Sequence, residues 1–163
     1  MPFRKPSSLP LAPLTELIIE GFHDCVHELG CGFGEAVCQR AFKIVLLDKG
    51  LLVEAGLDLD VHFRGQEIGK FTTDLVVERL VMVEVKATSR IEDVGRAQLL
   101  NYLKCAGGGV GLLANFGLRP EIKRFVMGDP LNSLPRLSKA PVPNTGRWIP
   151  KPPTGPEGTI DPR

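Results

Sequence analysis

Two charged residues fall where an apolar strand should run. The segment FTTDLVVERLVMVEVKATSR, residues 71–90, contains a β-branched run, LVMVEVKA, with Glu84 and Lys86 inside it. Side chains on a strand alternate faces, so these two charges point the same way, together with Met82, while Val81, Val83 and Val85 point into a core. An unpaired buried carboxylate or ammonium costs several kcal/mol, so both need partners. Asp74 stands ten residues before Glu84 on the preceding strand, and a turn around ERL can bring the two together. Two carboxylates beside a lysine make a hard-oxygen cation site of the kind magnesium accepts, with one or two carboxylates and several retained waters. The plainer alternatives are a structural ion pair for Glu84 and Lys86 and a strand-edge position for Asp74.

Further residues could line such a site. Gln98 and Tyr102 are four apart on one helix face, directly after the charged strand. The alternative is a boundary face with Tyr102 in the core. Glu35 falls in the first turn of another helix, where a carboxylate is favourable in its own right. His27 and His62 are single histidines whose part in the site the sequence leaves open, and for His27 a capping or core role outweighs a ligand role.

The elements that must position these residues follow from periodicity. Residues 13–30 read as a helix started by Pro13 or Thr15, with a stripe of Leu14, Ile18, Phe22, Val26 and Leu29. Gly30 and Gly32 end it. A second helix spans about 34–48, with Val37, Ala41, Ile44 and Val45 as its apolar positions and a Gly just past its end. LLVEAGLDLDVHF alternates as one half-buried strand, FRGQEIG is a hairpin turn, and KFTTDLVVE is the return strand. RLVMVEVKA is a more buried strand, IEDVGRAQLLNYLKCAG a third helix, and GGVGLLANFG and EIKRFVM are two more strands. The resulting order is helix, helix, three strands, helix, strand, strand, which implies an α/β fold with a mixed central sheet flanked by helices. Residues 1–12 form a Pro/Ser-rich lead, residues 13–128 the folded domain, and residues 129–163, which hold nine of the 14 prolines, a tail expected to be disordered.

Composition excludes several classes. With 163 residues, 43% hydrophobic and 24% charged, the chain has the balance of one globular domain. A net charge of +1 carries no global nucleic-acid signature and leaves room for a local basic cleft. Cys25, Cys31, Cys38 and Cys105 form no C-x-x-C pair, which argues against structural zinc. Prolines break the N-terminus before any signal-peptide core develops, and no apolar stretch reaches the roughly 18 residues of a membrane span. The expectation is a cytoplasmic protein with reduced thiols. GGGVG, residues 107–111, precedes a strand rather than joining a strand to a helix N-terminus, so it does not read as a phosphate loop.

Asp74 followed by Glu84-x-Lys86 resembles the PD-(D/E)XK nuclease superfamily, and Gln98-x-x-x-Tyr102 is similar to the Q-x-x-x-Y motif of its RecB-like branch. Within the superfamily the chain resembles the small bacterial GxxExxY proteins. VHELGCGFGEAVC (26–38) supplies Gly32 and Glu35, and LDLDVHFRGQEIGKFTTDLVVE, VEVKA, AQLLNYLK and GLLANFG follow in order. Together these cover about residues 14–127. The chain departs from the pattern at Cys38, which stands in place of the family tyrosine and reads as a small buried thiol rather than a nucleophile.

The resemblance implies a restriction-endonuclease-like core and Mg²⁺-dependent hydrolysis of phosphodiesters in DNA, in repair or in defence against foreign DNA, with Mn²⁺ as a substitute ion. On that reading Asp74, Glu84 and the backbone carbonyl of Val85 hold the metal. Lys86 orients water or stabilises developing charge, and Gln98 positions water or phosphate. Glu35 is an outer carboxylate, and Tyr102 supports the wall. A basic rim of Lys70, Arg90, Arg96 and Lys104, with Arg64 further out, would contact the substrate. The implied partners are nucleic acid, DNA ahead of RNA, and no membrane; a second copy or another protein is open. The competing reading is a weak or inactive nuclease-fold module that binds nucleic acid or a protein, for which the near-neutral charge and Cys38 speak.

Overall fold

The computed structural model describes residues 11–130. The N-terminal lead before residue 11 and the Pro-rich tail from residue 131 lie outside the described residues.

The chain runs α1 (Ala12–Leu29), α2 (Glu35–Asp48), β1 (Val53–Ala55), β2 (Asp58–Phe63), β3 (Gln66–Thr72), β4 (Leu75–Val77), β5 (Val81–Lys86), α3 (Asp93–Cys105), β6 (Gly109–Asn115) and β7 (Glu121–Met127). Five strands form a central sheet in the order β1-β4-β5-β6-β7, and β2 and β3 form a separate two-stranded sheet. β5 and β6 pair in parallel, and the crossover between them is α3. The other neighbours pair antiparallel, so the sheet is mixed.

The alternation of β5 decides the layering. Val81, Val83 and Val85 join one apolar cluster with Leu14, Ile18 and Phe22 of α1 and Phe42 and Leu46 of α2. Met82 joins a second cluster with Leu99, Leu103 and Ala106 around α3 and with Leu57 and Leu59 beside β2. Helices α1 and α2 thus cover one face of the sheet, and α3 covers the face to which Met82, Glu84 and Lys86 belong. Phe116, just past β6, makes edge-on contacts with Phe22 (4.9 Å) and Phe42 (5.4 Å) that anchor the first face.

Four details differ from the sequence reading. The segment expected as one strand over 51–63 breaks at Gly56, whose φ of +66° turns the chain out of the central sheet. β1 stays in that sheet, and β2 leaves it to pair with β3. The return strand breaks in the same way at Thr73 and Asp74, where the buried Thr73 hydroxyl donates to the Leu57 carbonyl at 3.1 Å. Five strands therefore precede α3, not three. In α2 the buried positions are Cys38, Phe42 and Leu46, whereas Val37 is 42% and Ile44 60% exposed. The α2 sequence is apolar on more than one side, and the aromatic contacts of Phe42 decide which side is buried. Helix α1 begins after Leu11 with Pro13 in its first turn, and the Thr15 hydroxyl donates back to the Leu11 and Ala12 carbonyls rather than capping the helix.

Candidate active site

The turn between β4 and β5 sets the site. Leu75 pairs with Val83, Val76 with Met82 and Val77 with Val81, so the same register carried one residue further sets Asp74 opposite Glu84. Asp74 closes the pairing with its side chain: the Val85 N–H donates to Asp74 Oδ2 at 2.8 Å. Its backbone is held from the other side, where the Gln39 amide of α2 donates to the Asp74 carbonyl at 3.1 Å.

Glu84 is 5% exposed. Lys86 Nζ lies 3.4 Å from Glu84 Oε1 and 3.7 Å from Glu35 Oε1, both longer than a well-formed charge-assisted hydrogen bond. Glu84 Oε2 is buried and has no hydrogen-bond partner among the described residues. Burial, reinforced by the Asp74 charge and only partly offset by Lys86, pushes the Glu84 carboxyl up to about 7. Burial also raises Asp74, against the opposing effects of the Val85 N–H and Lys86. Lys86 is raised on balance: burial works against its charge, but Glu84 and Glu35 outweigh it. The cluster is thus short of positive charge. One ammonium faces three carboxylates, of which two are desolvated and side by side.

Helix α3 lies along this face. Gly95 is seated where an added Cβ would stand 3.8 Å from the Lys86 side chain and 3.7 Å from Leu113, so the helix approaches the lysine closely. One turn on, Gln98 shares a helix face with Tyr102, whose hydroxyl is raised by burial and by the Glu84 charge. The Tyr102 ring stacks on Phe71 of β3 at 3.5 Å between centroids, tying the outer hairpin to the wall of the site. Glu35 begins α2 after the loop of residues 30–34 and stays exposed at the edge of the cluster. Cys38 is buried, its thiol donates toward the Phe33 carbonyl at 3.7 Å, and burial raises it, as befits an unreactive core thiol.

The cationic positions are dispersed. Lys70 pairs with Asp60 (3.4 Å) and Glu67 (3.8 Å) on the outer hairpin. Arg96 lies over the Phe125 ring of β7 at 5.6 Å, and Arg64 over Phe63 at the tip of the hairpin at 5.3 Å. Lys104 is exposed in the last turn of α3, roughly 13 Å along the helix axis from Gly95. Arg90 lines a pocket with Ser89, Glu92, Leu118 and Arg119 at the end of the parallel strand pair. His27 and His62 are both exposed.

Two contributors escaped the sequence reading. Gln39, four residues past Glu35 on α2, was signalled only by that helical spacing. Asn115 was signalled by being the polar end of an otherwise apolar strand.

Among the described residues, no cluster of three or more His, Cys, Asp or Glu is arranged to hold one metal ion. The donor set nevertheless fits a hard cation. Asp74 and Glu84 offer two oxygen ligands on adjacent strands, and the partnerless Glu84 Oε2 is an acceptor that no protein donor completes.

A mixed α/β sheet flanked by helices, with Asp and Glu-x-Lys on adjacent central strands, defines a restriction-endonuclease-like fold. The chain belongs to the PD-(D/E)XK nuclease superfamily, whose family model matches residues 12–125. The superfamily is one of nucleases, and its members generally use divalent metals. No curated protein matches the chain. A solved structure described as "Crystal structure of SSO0001" is similar at 17% identity with a TM-score of 0.45; the match covers 76% of this chain and 61% of that one. No helix among the described residues is long and apolar enough to cross a membrane.

Proposed function

We propose that this protein is a Mg²⁺-dependent nuclease that hydrolyses phosphodiester bonds in DNA. The observation that carries the reading is Glu84: a buried carboxylate with one oxygen unpartnered among the described residues, beside the half-buried carboxylate of Asp74, in a superfamily of metal-using nucleases. Asp74 and Glu84 would hold the ion, with the Val85 carbonyl as a further ligand. When bound, the ion supplies Lewis-acid stabilisation of charge on the phosphate and lowers the pKa of a coordinated water.

The protein's own groups do the rest. The Val85 N–H fixes one Asp74 oxygen, which leaves the other to turn toward Glu84. Lys86, held above its ordinary value, stays an ammonium throughout the neutral range, so it serves as a fixed positive charge and donor rather than as a base. Its long contacts to Glu84 and Glu35 leave donor capacity for a water or a phosphate oxygen. Gln98 positions water or phosphate from α3, Tyr102 and Phe71 form the wall, and Glu35 balances Lys86 from the outer edge. Lys70, Arg90, Arg96 and Lys104 are the candidate substrate contacts. Roles in repair or in defence against foreign DNA fit this chemistry equally.

The test is cleavage of labelled single- and double-stranded DNA and RNA by the wild type and Lys86→Ala, with Mg²⁺, Mn²⁺ or EDTA. The reading predicts DNA cleavage that EDTA abolishes and that Lys86→Ala lowers by about 100- to 1000-fold. Cleavage that persists in EDTA, or is undiminished in the variant, contradicts it. A binding module remains the second reading, favoured by the absence of a third metal-ligating carboxylate among the described residues. It predicts nucleic-acid binding that Lys86→Ala leaves intact, with no cleavage by either protein.

A further inference from the structure

Beside the carboxylate cluster, at the C-terminal edge of the parallel strands, two loops are locked into one platform. β5 ends at Lys86 and β6 at Asn115, and these two residues are register partners. Asn115 is fully buried, and its side chain laces the loops together: Oδ1 accepts from the Thr88 N–H (3.0 Å) and the Gly117 N–H (3.2 Å), and Nδ2 donates to the Thr88 carbonyl (2.9 Å). The Phe116 N–H donates to the Lys86 carbonyl at 2.7 Å. Gly117 lies so close that an added Cβ would fall 1.6 Å from the Thr88 carbonyl oxygen. Four residues beyond each strand end stand Arg90 and Arg119. With Ser89, Glu92 and Leu118 they line an open pocket of about 400 Å³. Neither guanidinium has a carboxylate partner among the described residues, in contrast to Lys49, Lys70, Lys86 and Lys123. The Thr88 hydroxyl donates to the Arg90 carbonyl at 2.7 Å, which fixes the turn carrying that arginine. Leu118, 75% exposed, adds an apolar surface to the rim.

Resting on the nuclease reading, we propose that the Arg90–Arg119 pocket is a second phosphate subsite, which binds a phosphate of the nucleic-acid strand other than the one cleaved beside Lys86. The crevice beyond the C-terminal ends of parallel strands, where the connections diverge, is the place in an open α/β sheet where ligands bind. Two forked guanidiniums match a phosphate's oxygens, the Ser89 hydroxyl adds a donor, and Leu118 gives a sugar or base an apolar rest. Glu92 opposes the anion and limits its affinity. The substrate is therefore a strand of at least two phosphates. The second phosphate is either an internal diester or a terminal monoester.

The experiment is fluorescence anisotropy of a labelled 12-nucleotide single strand and its duplex in EDTA across a salt series, each with a 5′-hydroxyl or a 5′-phosphate. The proteins are the wild type, Arg90→Ala/Arg119→Ala, Glu92→Gln and Lys86→Ala, with circular dichroism confirming the fold of each. The double variant is expected to bind about tenfold more weakly and to lower the salt slope by about one, the signature of one lost phosphate contact. Glu92→Gln is expected to bind more tightly, a gain that damage to the fold would not give. A wild-type preference for the 5′-phosphate that the double variant loses identifies a terminal group, and an equal loss on both ends identifies an internal one. Unchanged affinity and slope in the double variant, while the wild type binds, overturn the subsite and leave the nuclease reading standing. Absence of binding by the wild type to either probe overturns both.

Discussion

Glu54 with Arg79 and Glu84 with Lys86 are two carboxylate–cation pairs on the same central sheet, and they are finished differently. Arg79 Nη2 reaches Glu54 Oε1 at 2.8 Å while its Nε reaches the other oxygen, so the carboxylate is met by a two-pronged fork. Around it Glu78 accepts the Leu52 N–H at 2.7 Å. These contacts hold Glu78 and Arg79 at φ of +54° and +56°, an uncommon region for residues with side chains, and so fix the turn that sets Asp74 against Glu84. Glu84, more deeply buried, has one long contact to Lys86 and an oxygen with no partner. A pair kept for architecture is closed by protein donors. A pair left open in the middle of a sheet costs stability that a proton or a bound cation would restore.

The comparison is sharpest when each cation is removed. Arg79→Ala strands a nearly buried carboxylate and releases the turn, and it should cost about 3–5 kcal/mol in urea denaturation. Lys86→Ala should cost under about 1 kcal/mol at neutral pH, because Glu84 already titrates near neutrality and can take up a proton instead. Equal losses would erase the distinction.

The next largest effect is on Glu84 itself. Its folded value of about 7 lies above the ordinary 4.5. Between those values the unfolded chain ionises and the folded chain does not, so Glu84 subtracts stability as pH rises from 4.5 to 7 and by a constant amount above. On the order of 3 kcal/mol is at stake. Without metal, Glu84→Gln should therefore be more stable than the wild type at pH 8, and the gain should vanish near pH 4. A variant destabilised at both pH values would mean that the protein alone completes this carboxylate.

Metal should reverse the deficit. Mg²⁺ at ten times its dissociation constant is expected to stabilise the wild type by about 1.4 kcal/mol, read as a rise in thermal midpoint, and to leave Glu84→Gln unmoved. The smallest effect belongs to Glu35, exposed and 3.7 Å from Lys86. In chelator, Glu35→Gln should change stability by no more than about 0.5 kcal/mol. A larger loss would make Glu35, not Glu84, the partner that holds the lysine.

Much of this was legible in the sequence because it is local. The two faces of β5 follow from strict alternation, and the α1 stripe from its spacing. The proximity of Asp74 and Glu84 follows from a short turn between two apolar runs. What was not legible depended on partners distant in sequence. The alternation of 51–63 continues across Gly56, so nothing in the pattern marks where one strand ends and another sheet begins. The buried side of α2 is chosen by Phe42 meeting Phe22 and Phe116, and either of its stripes satisfies helical periodicity. The lacing of two loops by Asn115 and the shared pocket of Arg90 and Arg119 need the parallel register of β5 and β6, which no single segment encodes.

The central claim, that a divalent ion completes Glu84, is tested most directly by titration calorimetry of Mn²⁺ into the metal-free wild type and Glu84→Gln at pH 8 and pH 6.5. The wild type should bind at pH 8 and more weakly at pH 6.5, where binding should release a proton seen as a heat that changes with the buffer's ionisation enthalpy. Glu84→Gln should bind much more weakly and release none. A folded wild type that takes up no Mn²⁺ at pH 8 would contradict the account.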